Sequence, residues 1–505
     1  MKIGEAASLM GAEAVGATSA ELFDKEIKGF SIDSRSIGEG ELFFALSQDD
    51  YTRAGFNGTF VDAHRFIPQA FERGAIAAVA RADHVHADAT LRAEGRRLLL
   101  VEDAIAALQM LARRIYEAWA RPVVGITGSA GKTTTKDLTA HVLAHSGRRV
   151  LKSERNYNNG LGLPLSILQM VTAGRSPDQF DMAVLEMGMS SPTGEIARLC
   201  RITPPDVGVE LCVAPAHLEY FGTIERIAEA KAELVEGLKP GGVAVLNADD
   251  PLVAAMRGLH GGRTLTFGIE NQADVMATGI RSAALGLIRF TLRTPMGEAK
   301  ASLPMPGRHN LMNALAASAV ATCFGIEPEE IAQALKTARV SEMRGEVLDF
   351  SAGFTVVDDS YNSNPRALLN MVRTLVESGA GAKRRIVVAG EMLELGPESV
   401  QLHRETGEAI AQAGIDLLWG VRGLAEELIK GALEAGMSSE ALRFFNSSED
   451  AASALLEELR EDDLVLIKGS RGVRTDKIVG VLKERLPLVG ADEREGERGR
   501  RALNR

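Results

Sequence analysis

The segment Arg121–Leu138, RPVVGITGSAGKTTTKDL, constrains the fold of this chain more than any other stretch. Two valines near its start are typical of the end of a buried strand. Gly128 and Gly131 then supply a loop in which backbone N–H groups can approach anionic oxygens. The residues from Thr133 onward have the composition of a helix start. A strand, a glycine-rich loop and a helix N-terminus in succession predict a phosphate-binding loop in an α/β domain.

Within this loop, Lys132 is expected to reach the terminal phosphates of a nucleotide, and the Thr133 hydroxyl is expected to bind Mg²⁺. The usual spacing places a glycine five residues before Gly131, where this chain has Ile126. An ordinary glycine-rich turn is the alternative, but it does not explain a Gly-Lys-Thr-Thr sequence between a strand and a helix. The predicted nucleotide-binding residues here are Gly128, Ser129, Ala130, Gly131, Lys132, Thr133 and Thr134.

The length of 505 residues predicts two to four domains. An apolar fraction of 45% and a charged fraction of 25% are typical of a soluble globular protein. The net charge of −11 argues against a general nucleic-acid binder. The three cysteines show no metal-ligand spacing, which fits a reducing compartment. No apolar run approaches the roughly 18 residues of a membrane span. We therefore expect a cytoplasmic, monomeric protein.

Alternation of strand-like and helix-like segments predicts an α/β fold of three domains. Residues 1–118 form a small α/β domain, and residues 119–338 form the phosphate-loop domain with a mostly parallel sheet. Residues 339–505 form a Rossmann-like domain with helices on both faces of its sheet, followed by a charged tail after Asp492.

The N-terminal domain offers one candidate binding turn, Asp33-Ser34-Arg35. Ser34 and Arg35 could contact an anion or a ribose, and a plain turn with a solvated arginine is the alternative. The stretch Ser47–Thr59 is polar and contains glycine, so it is predicted to be a surface loop.

Two residues of the central domain follow predicted strands. Glu186 ends the strand that begins at Met182, where a second Mg²⁺ ligand would lie beside a phosphate loop. His217 follows a predicted strand at Val207–Val213 and would share that sheet edge. A strand-ending glutamate or a buried structural histidine without a ligand is the alternative for each residue.

The helix that begins after Thr223 carries Lys231 on its apolar stripe. A lysine there can extend its amine to water. Alternatively the amine is buried, in which case its neutral form is favoured and can react with carbon dioxide. The resulting carbamate would be a carboxylate-like metal ligand. The sequence alone leaves both readings open.

Several segments together resemble the Mur ligase family of ATP-dependent amide ligases. The resemblance covers nearly the whole chain and rests on the order of the segments. In the central domain these are residues 127–134, 156–159, 185–188, 216–219, 230–233 and 307–310. Two further segments, DDSYNSNP at Asp358–Pro365 and GEMLELG at Gly390–Gly396, resemble the family member that adds a dipeptide.

The resemblance implies that ATP phosphorylates the free carboxylate of a UDP-N-acetylmuramoyl-tripeptide, after which D-alanyl-D-alanine attacks the acyl phosphate. It implies two Mg²⁺ ions bound by Thr133, Glu186, His217 and a carbamylated Lys231. Arg344 would contact phosphate, and Asn310 and Asp358 would position the nucleotide. The implied substrate contacts are Ser34, Arg35, Asn158, Asn159, Asn362 and Asn364.

Two alternatives remain at this point. One is a sister ligase, such as a folylpolyglutamate or cyanophycin synthetase, and the segments at 358–365 and 390–396 argue against it. The other is a P-loop NTPase that hydrolyses ATP without ligation. Phosphate release that requires both the tripeptide nucleotide and the dipeptide would distinguish the ligase.

Overall fold

A computed structural model describes residues 1–14, 20–56, 58–154, 157–172, 174–189, 194–214, 221–284, 286–339, 342–378 and 381–489. Within these ranges the strands form three sheets, of five, nine and six strands. The α/β class predicted from the sequence is confirmed. None of the described helices has both the length and the hydropathy needed to cross a bilayer.

The first sheet has the order β1-β5-β4-β3-β2, with only β1 antiparallel to its neighbour. Its strands are β1 (Glu13–Ala14), β2 (Gly29–Ser31), β3 (Glu41–Phe44), β4 (Ala77–Arg81) and β5 (Leu98–Val101). The helices of this part are α1 (Ile3–Met10), α2 (Ala20–Phe23), α3 (Gln48–Arg53), α4 (Ile67–Glu72), α5 (Ala82–Ala87), α6 (Ala89–Ala93) and α7 (Ala104–Trp119).

The prediction of a surface loop at Ser47–Thr59 is wrong for its first half, where α3 lies. Ser47 caps this helix, since its hydroxyl accepts a hydrogen bond from the Asp50 N–H at 3.1 Å. The Asp50 carboxylate is fully buried and pairs with Arg81 at 2.8 Å. A polar sequence therefore folds as a helix because its acidic side chain has a buried cationic partner.

The central sheet has the order β14-β13-β12-β11-β10-β9-β6-β8-β7. Strands β6 to β12 run parallel, and β13 and β14 add an antiparallel extension. The strands are β6 (Val123–Thr127), β7 (Val150–Lys152), β8 (Met182–Glu186), β9 (Val207–Glu210), β10 (Val243–Asn247), β11 (Arg263–Gly268), β12 (Val275–Ala284), β13 (Leu287–Thr294) and β14 (Gly297–Leu303). The described helices are α8 (Lys132–His145), α9 (Gly162–Leu168), α10 (Glu195–Ile202), α11 (Ile224–Glu236), α12 (Pro251–Ala254), α13 (Arg308–Cys323) and α14 (Pro328–Lys336).

The third sheet has the order β15-β16-β20-β17-β18-β19 and is parallel except for β15. Its strands are β15 (Glu346–Asp349), β16 (Thr355–Asp359), β17 (Arg384–Gly390), β18 (Leu417–Val421), β19 (Leu442–Phe445) and β20 (Asp463–Lys468). Its helices are α15 (Pro365–Ser378), α16 (Ser399–Gln412), α17 (Ala425–Glu434), α18 (Ser448–Glu458) and α19 (Asp476–Arg485). The predicted tail after Asp492 lies outside the described residues.

The hydrophobic cores do not correspond one to one with the three sheets. One core runs from the first sheet through α7 to one face of the central sheet, so these two parts are packed together. The third sheet has separate cores on its two faces. Its packing therefore does not depend on the rest of the chain, whereas the first two parts share buried apolar surface.

Candidate active site

The loop between β6 and α8 has the backbone of a phosphate-binding loop. Gly128 and Gly131 have φ of 150° and 84°, which side chains rarely tolerate. A methyl group on Gly128 would lie 2.8 Å from Leu211 Cβ, and one on Gly131 would overlap Asn313 Oδ1. Both positions need glycine because the loop lies directly against β9 and α13.

Hydrogen bonds fix this loop to the segment after β9. The Ser129 N–H donates to the Cys212 carbonyl at 2.8 Å, and the Ser129 hydroxyl donates to the Ala214 carbonyl at 3.1 Å. The Cys212 thiol lies 3.8 Å from the Ala130 carbonyl. Within the loop, Lys132 Nζ donates to the Gly128 carbonyl at 2.7 Å. The lysine amine is therefore held over the loop where a phosphate would lie.

Glu186 lies at the centre of a group of oxygen ligands. Its carboxylate accepts hydrogen bonds from the Thr133 hydroxyl at 2.7 Å and from Asn158 Nδ2 at 2.8 Å. The Glu186 N–H donates to Ser153 Oγ at 3.1 Å, and the side chain is buried. Oxygen atoms are the ligands that Mg²⁺ prefers. The structure thus brings together the predicted pair Thr133 and Glu186, and the donors present fit this ion.

Lys231 is buried, with 3% of its surface exposed. Burial, with a smaller contribution from the charge of Lys132, lowers the pKa of its amine to about 8. The residues that the structure describes offer the amine no hydrogen bond or ion pair. The alternative in which Lys231 extends to water is therefore wrong.

Glu210, the last residue of β9, faces the same helix. It pairs in register with Thr127 and Leu246, and Leu246 packs in the core beneath α11. Among the described residues, neither carboxylate oxygen of Glu210 nor the hydroxyl of Thr127 has a hydrogen-bond partner, although both residues are fully buried. Burial raises the pKa of Glu210 to about 8, against the opposing effect of Lys231. An uncompensated polar region thus lies between the phosphate loop and α11.

The first turn of α13 lies against the phosphate loop. Asn310 is buried, and its amide donates to the Pro306 carbonyl at 2.7 Å. Asn313, one turn later, lies against Gly131 of the phosphate loop. A methyl group on Gly345 would lie 3.8 Å from Asn310 Nδ2. The predicted residue Asn310 therefore lies close to Gly345, the residue that follows Arg344.

Known proteins share this arrangement. A model of the Mur ligase middle domain matches residues 126–321, and a model described as Mur ligase, glutamate ligase domain, matches residues 343–471. The UDP-N-acetylmuramoyl-tripeptide–D-alanyl-D-alanine ligase of Bacillus subtilis (strain 168) is 34% identical over 458 residues, which are 91% of this chain and 93% of that protein. The chain belongs to the Mur ligase family.

Solved structures agree with this assignment. MurF from Acinetobacter baumannii superposes with a TM-score of 0.76 at 29% identity, covering 91% of this Mur ligase and 94% of that chain. The MurF ligase of Thermotoga maritima, solved in complex with ADP, gives a TM-score of 0.75 at 30% identity, with coverage of 90% and 97%. The predicted family and the multi-domain fold are confirmed.

The predicted residues of the C-terminal part lie at the carboxyl ends of its strands. Asp358 is buried, and its carboxylate accepts a hydrogen bond from the Ser360 hydroxyl at 2.6 Å. Burial raises the pKa of Asp358 to about 6. Asn362 is exposed, whereas Asn364 Oδ1 accepts from the Ala367 N–H at 2.8 Å and so caps α15. Of the two asparagines, Asn362 has the more accessible side chain.

The remaining predicted residues of this Mur ligase are the metal-ligand candidate His217 and the substrate-contact candidates Asn159, Ser34 and Arg35. His217 lies outside the described residues. Asn159 Oδ1 accepts from the Gly162 N–H at 2.9 Å, at the start of α9. Ser34 is buried, and the exposed Arg35 pairs with Asp33 at 2.8 Å within the same turn. Both alternatives for that turn are consistent with this geometry.

Sequence reasoning missed Glu210, because a glutamate at a strand end usually reaches solvent. It also missed Asp62, His64 and His84, which approach one another in the N-terminal part. His64 Nδ1 lies 2.7 Å from Asp62, and His64 Nε2 accepts from the Arg81 N–H at 2.9 Å. Because Nε2 accepts a hydrogen bond, the neutral ring carries its proton on Nδ1, and Nδ1 has no lone pair for a metal ion. Both ring nitrogens of His64 already have protein partners.

Proposed function

We propose that this Mur ligase joins D-alanyl-D-alanine to a UDP-N-acetylmuramoyl-tripeptide and converts ATP to ADP and phosphate. The observation that carries the proposal is the 34% identity, over 91% of the chain, to the Bacillus subtilis ligase with that name. The phosphate loop, its lysine and the Thr133–Glu186 pair supply groups that such a reaction needs. The product would be a pentapeptide precursor of peptidoglycan.

Phosphorylation of a carboxylate brings two anions together, so the site must offset their repulsion. Lys132 would move from the Gly128 carbonyl to the phosphates, and Arg344 would approach from the opposite side. The loop N–H groups of residues 128–134 would hold the nucleotide, with Asn310 and Asp358 as further contacts. Closure of the C-terminal part would exclude water from the acyl phosphate.

Thr133 and Glu186 would hold one Mg²⁺, and His217 and Lys231, with Glu186 near, would hold a second. These ions would supply positive charge at the transferring phosphoryl group. Asn158 already contacts Glu186, so it would orient that carboxylate toward the ion.

We propose that Lys231 is carbamylated in the active enzyme, because a buried ammonium would repel Mg²⁺. The neutral amine would attack the carbon of carbon dioxide, forming an N–C bond and releasing one proton. Burial favours the neutral form, since the pKa of this lysine is lowered to about 8. The carbamate would then supply oxygen ligands in place of a cation.

Chemical rescue tests the carbamate. Lys231→Ala should be nearly inactive, and acetate or formate should restore part of its activity by replacing the missing carboxylate. Lys231→Arg, the matched control, keeps a positive charge and should not be rescued. Mass spectrometry of the wild-type protein under carbon dioxide should show the added group. Full activity of Lys231→Ala without any acid would contradict the proposal.

The other domains would supply the two substrates. The N-terminal part, residues 1–118, would bind the UDP-sugar near Ser34 and Arg35, and Asn158 and Asn159 would lie along the path to the phosphate loop. The dipeptide would dock on the C-terminal part, residues 339–505, near Asn362, Asn364 and the loop of Glu391. Residues 119–338 would bind ATP between them.

The decisive experiment is a phosphate-release assay with omission of each substrate. Release only with ATP, the tripeptide nucleotide and D-alanyl-D-alanine together supports the ligase. Release with ATP alone would support a plain NTPase, and release with glutamate as acceptor would support a folylpolyglutamate-type ligase. Parallel assays with lysine-containing and diaminopimelate-containing tripeptides identify the preferred third residue.

A further inference from the structure

The segment Met343-Arg344-Gly345, between the central and C-terminal parts, is attached to the C-terminal sheet. The Gly345 N–H donates to the Asp358 carbonyl at 2.8 Å, and the Tyr361 N–H donates to the Met343 carbonyl at 3.2 Å. Met343 has φ of 61°, a left-handed conformation that is unfavourable for methionine. Because tertiary contacts hold this conformation, the segment should move together with β16.

The side chain of Arg344 rests on the ring of Tyr361. Its guanidinium carbon lies 4.0 Å from the ring centroid, well inside the range of a cation–π contact. Within the described ranges the guanidinium makes no hydrogen bond or ion pair. The ring is therefore the group that fixes the direction of this charge, and a planar guanidinium suits stacking.

A second arginine holds the same segment in place. Arg471 lies 5.9 Å from the Tyr361 centroid, donates to the sulfur of Met343 at 3.5 Å and pairs with Asp476 at 3.4 Å. Asp476 begins α19 of the C-terminal part. Tyr361 and the backbone of residue 343 are thus tied to one rigid body.

The opposite side of the segment faces the nucleotide residues. A methyl group on Gly345 would lie 3.6 Å from Pro306 and 3.8 Å from Asn310 Nδ2. Arg344 therefore lies at the boundary between the C-terminal part and the first turn of α13. A small movement of the C-terminal part would change the distance between its guanidinium and the phosphate loop.

We propose that Tyr361 is a positioning residue that holds the Arg344 guanidinium against the C-terminal part. The arginine would then approach the transferring phosphoryl group as that part closes, with its direction already set. A charge oriented before reaction needs less reorganisation as charge develops. This inference rests on the proposed ligase function, because it requires a phosphoryl transfer that Arg344 assists.

A double-mutant cycle tests whether Tyr361 acts through Arg344. The variants are Tyr361→Leu, Tyr361→Phe, Arg344→Ala and the double variant Arg344→Ala/Tyr361→Leu. We expect Tyr361→Leu to lower kcat about fivefold, with ADP affinity by calorimetry within about twofold of wild type. Tyr361→Phe keeps the ring and should restore most of kcat. In the Arg344→Ala background, Tyr361→Leu should cause no further loss.

Additive losses in the cycle, or a loss of ADP affinity in Tyr361→Leu, would overturn the inference, because the ring would then act on the nucleotide directly. If Tyr361→Leu does not fold, as judged by its melting transition, Arg344→Lys replaces it. Lysine keeps the charge without the stacking plane, so kcat should again fall about fivefold, and an unchanged kcat would contradict the inference. A wild-type protein without ligation would instead overturn the proposed function itself.

Discussion

Buried charges have opposite surroundings in two regions of the molecule. One region is the phosphate-loop site, and the other is the crevice at the carboxyl ends of β16 and β20, where Asp359, Asn362 and Lys468 lie. In the C-terminal part, Lys468 is 4% exposed and pairs with Asp359 at 2.5 Å. Its amine also donates to the Asn362 carbonyl at 2.8 Å. In the central part, Lys231 is equally buried, yet the described residues give it no ion pair or hydrogen bond. The two carboxylate oxygens of Glu210, nearby, also have no hydrogen-bond partner in the part of the chain that the structure describes.

This difference indicates how the two regions work. In the C-terminal part, the buried charge of Lys468 is paired within the same part of the molecule and needs no ligand to compensate it. That part can therefore move as a unit without breaking this pair. Buried polar groups without partners are costly, and they persist where a bound group completes them. The separate cores of the third sheet fit a part that moves as a unit. The polar region between the phosphate loop and α11 fits a site that a bound group completes.

The largest expected effect is on catalysis at the phosphate-loop site. Lys132→Ala removes the amine that lies over the loop, and we expect kcat to fall at least about a hundredfold, or about 3 kcal/mol. The fold should persist, because the only described hydrogen bond of this amine is to a carbonyl of its own loop. Steady-state kinetics and circular dichroism check both points. Near-normal turnover in the folded variant would remove the lysine from the proposed mechanism.

A matched pair of substitutions compares the two buried lysines directly. Lys468→Met leaves Asp359 without its partner and should destabilise the protein by about 3 kcal/mol. Lys231→Met removes a buried amine to which the described residues offer no hydrogen bond or ion pair, so it should leave stability unchanged or raise it. Thermal unfolding in bicarbonate-free buffer with chelator measures both. Equal destabilisation would mean that Lys231 is as well compensated as Lys468.

Sequence reasoning succeeded where a regular pattern fixed the geometry. Parallel strands place their carboxyl ends at one edge, so Glu186 could be expected near Thr133. The apolar stripe of α11 placed Lys231 at a buried position but could not decide whether its amine reached water. That question depended on how closely the helix packs on β9.

Other features had no readable signal in the sequence. The left-handed backbone at Met343 arises from tertiary hydrogen bonds, and methionine gives no indication of it. Helix α3 was missed because Asp50 is polar, although its carboxylate is buried against Arg81. The burial of Glu210 depends on strand register with Thr127, which periodicity cannot supply. In each case a distant partner decides the conformation.

The pH dependence of protein stability tests whether Glu210 is buried without a compensating partner. Its pKa is raised from 4.5 to about 8, so between these values the unfolded chain releases a proton that the folded protein keeps. Stability should therefore fall as pH rises through this window, by at most about 1.4 kcal/mol per unit, and level off above pH 8. Glu210→Gln should remove this dependence and be more stable than the wild type at pH 8.

Denaturant unfolding of wild type and Glu210→Gln from pH 5 to 8 measures this difference. Glu229→Gln, on the exposed face of α11, is the matched control and should follow the wild-type curve. A constant difference between Glu210→Gln and wild type across this range would show that Glu210 has the same charge in both states.

The smallest expected effect is in the crevice of the C-terminal part, where Asn362→Ala should weaken binding of the dipeptide but not of ATP. The Asn362 side chain is exposed, and its Oδ1 accepts only from the neighbouring Ser363 N–H at 2.9 Å among the described residues. The backbone carbonyl, which Lys468 needs, is unaffected by Asn362→Ala. We therefore expect an intact fold and a KM for D-alanyl-D-alanine raised about tenfold, which corresponds to about 1.4 kcal/mol. The KM for ATP should stay within about twofold, because Asn362 belongs to the crevice and Lys132 to the phosphate loop. An equal rise in both KM values would instead place Asn362 at the nucleotide, and the two regions would then form one continuous site.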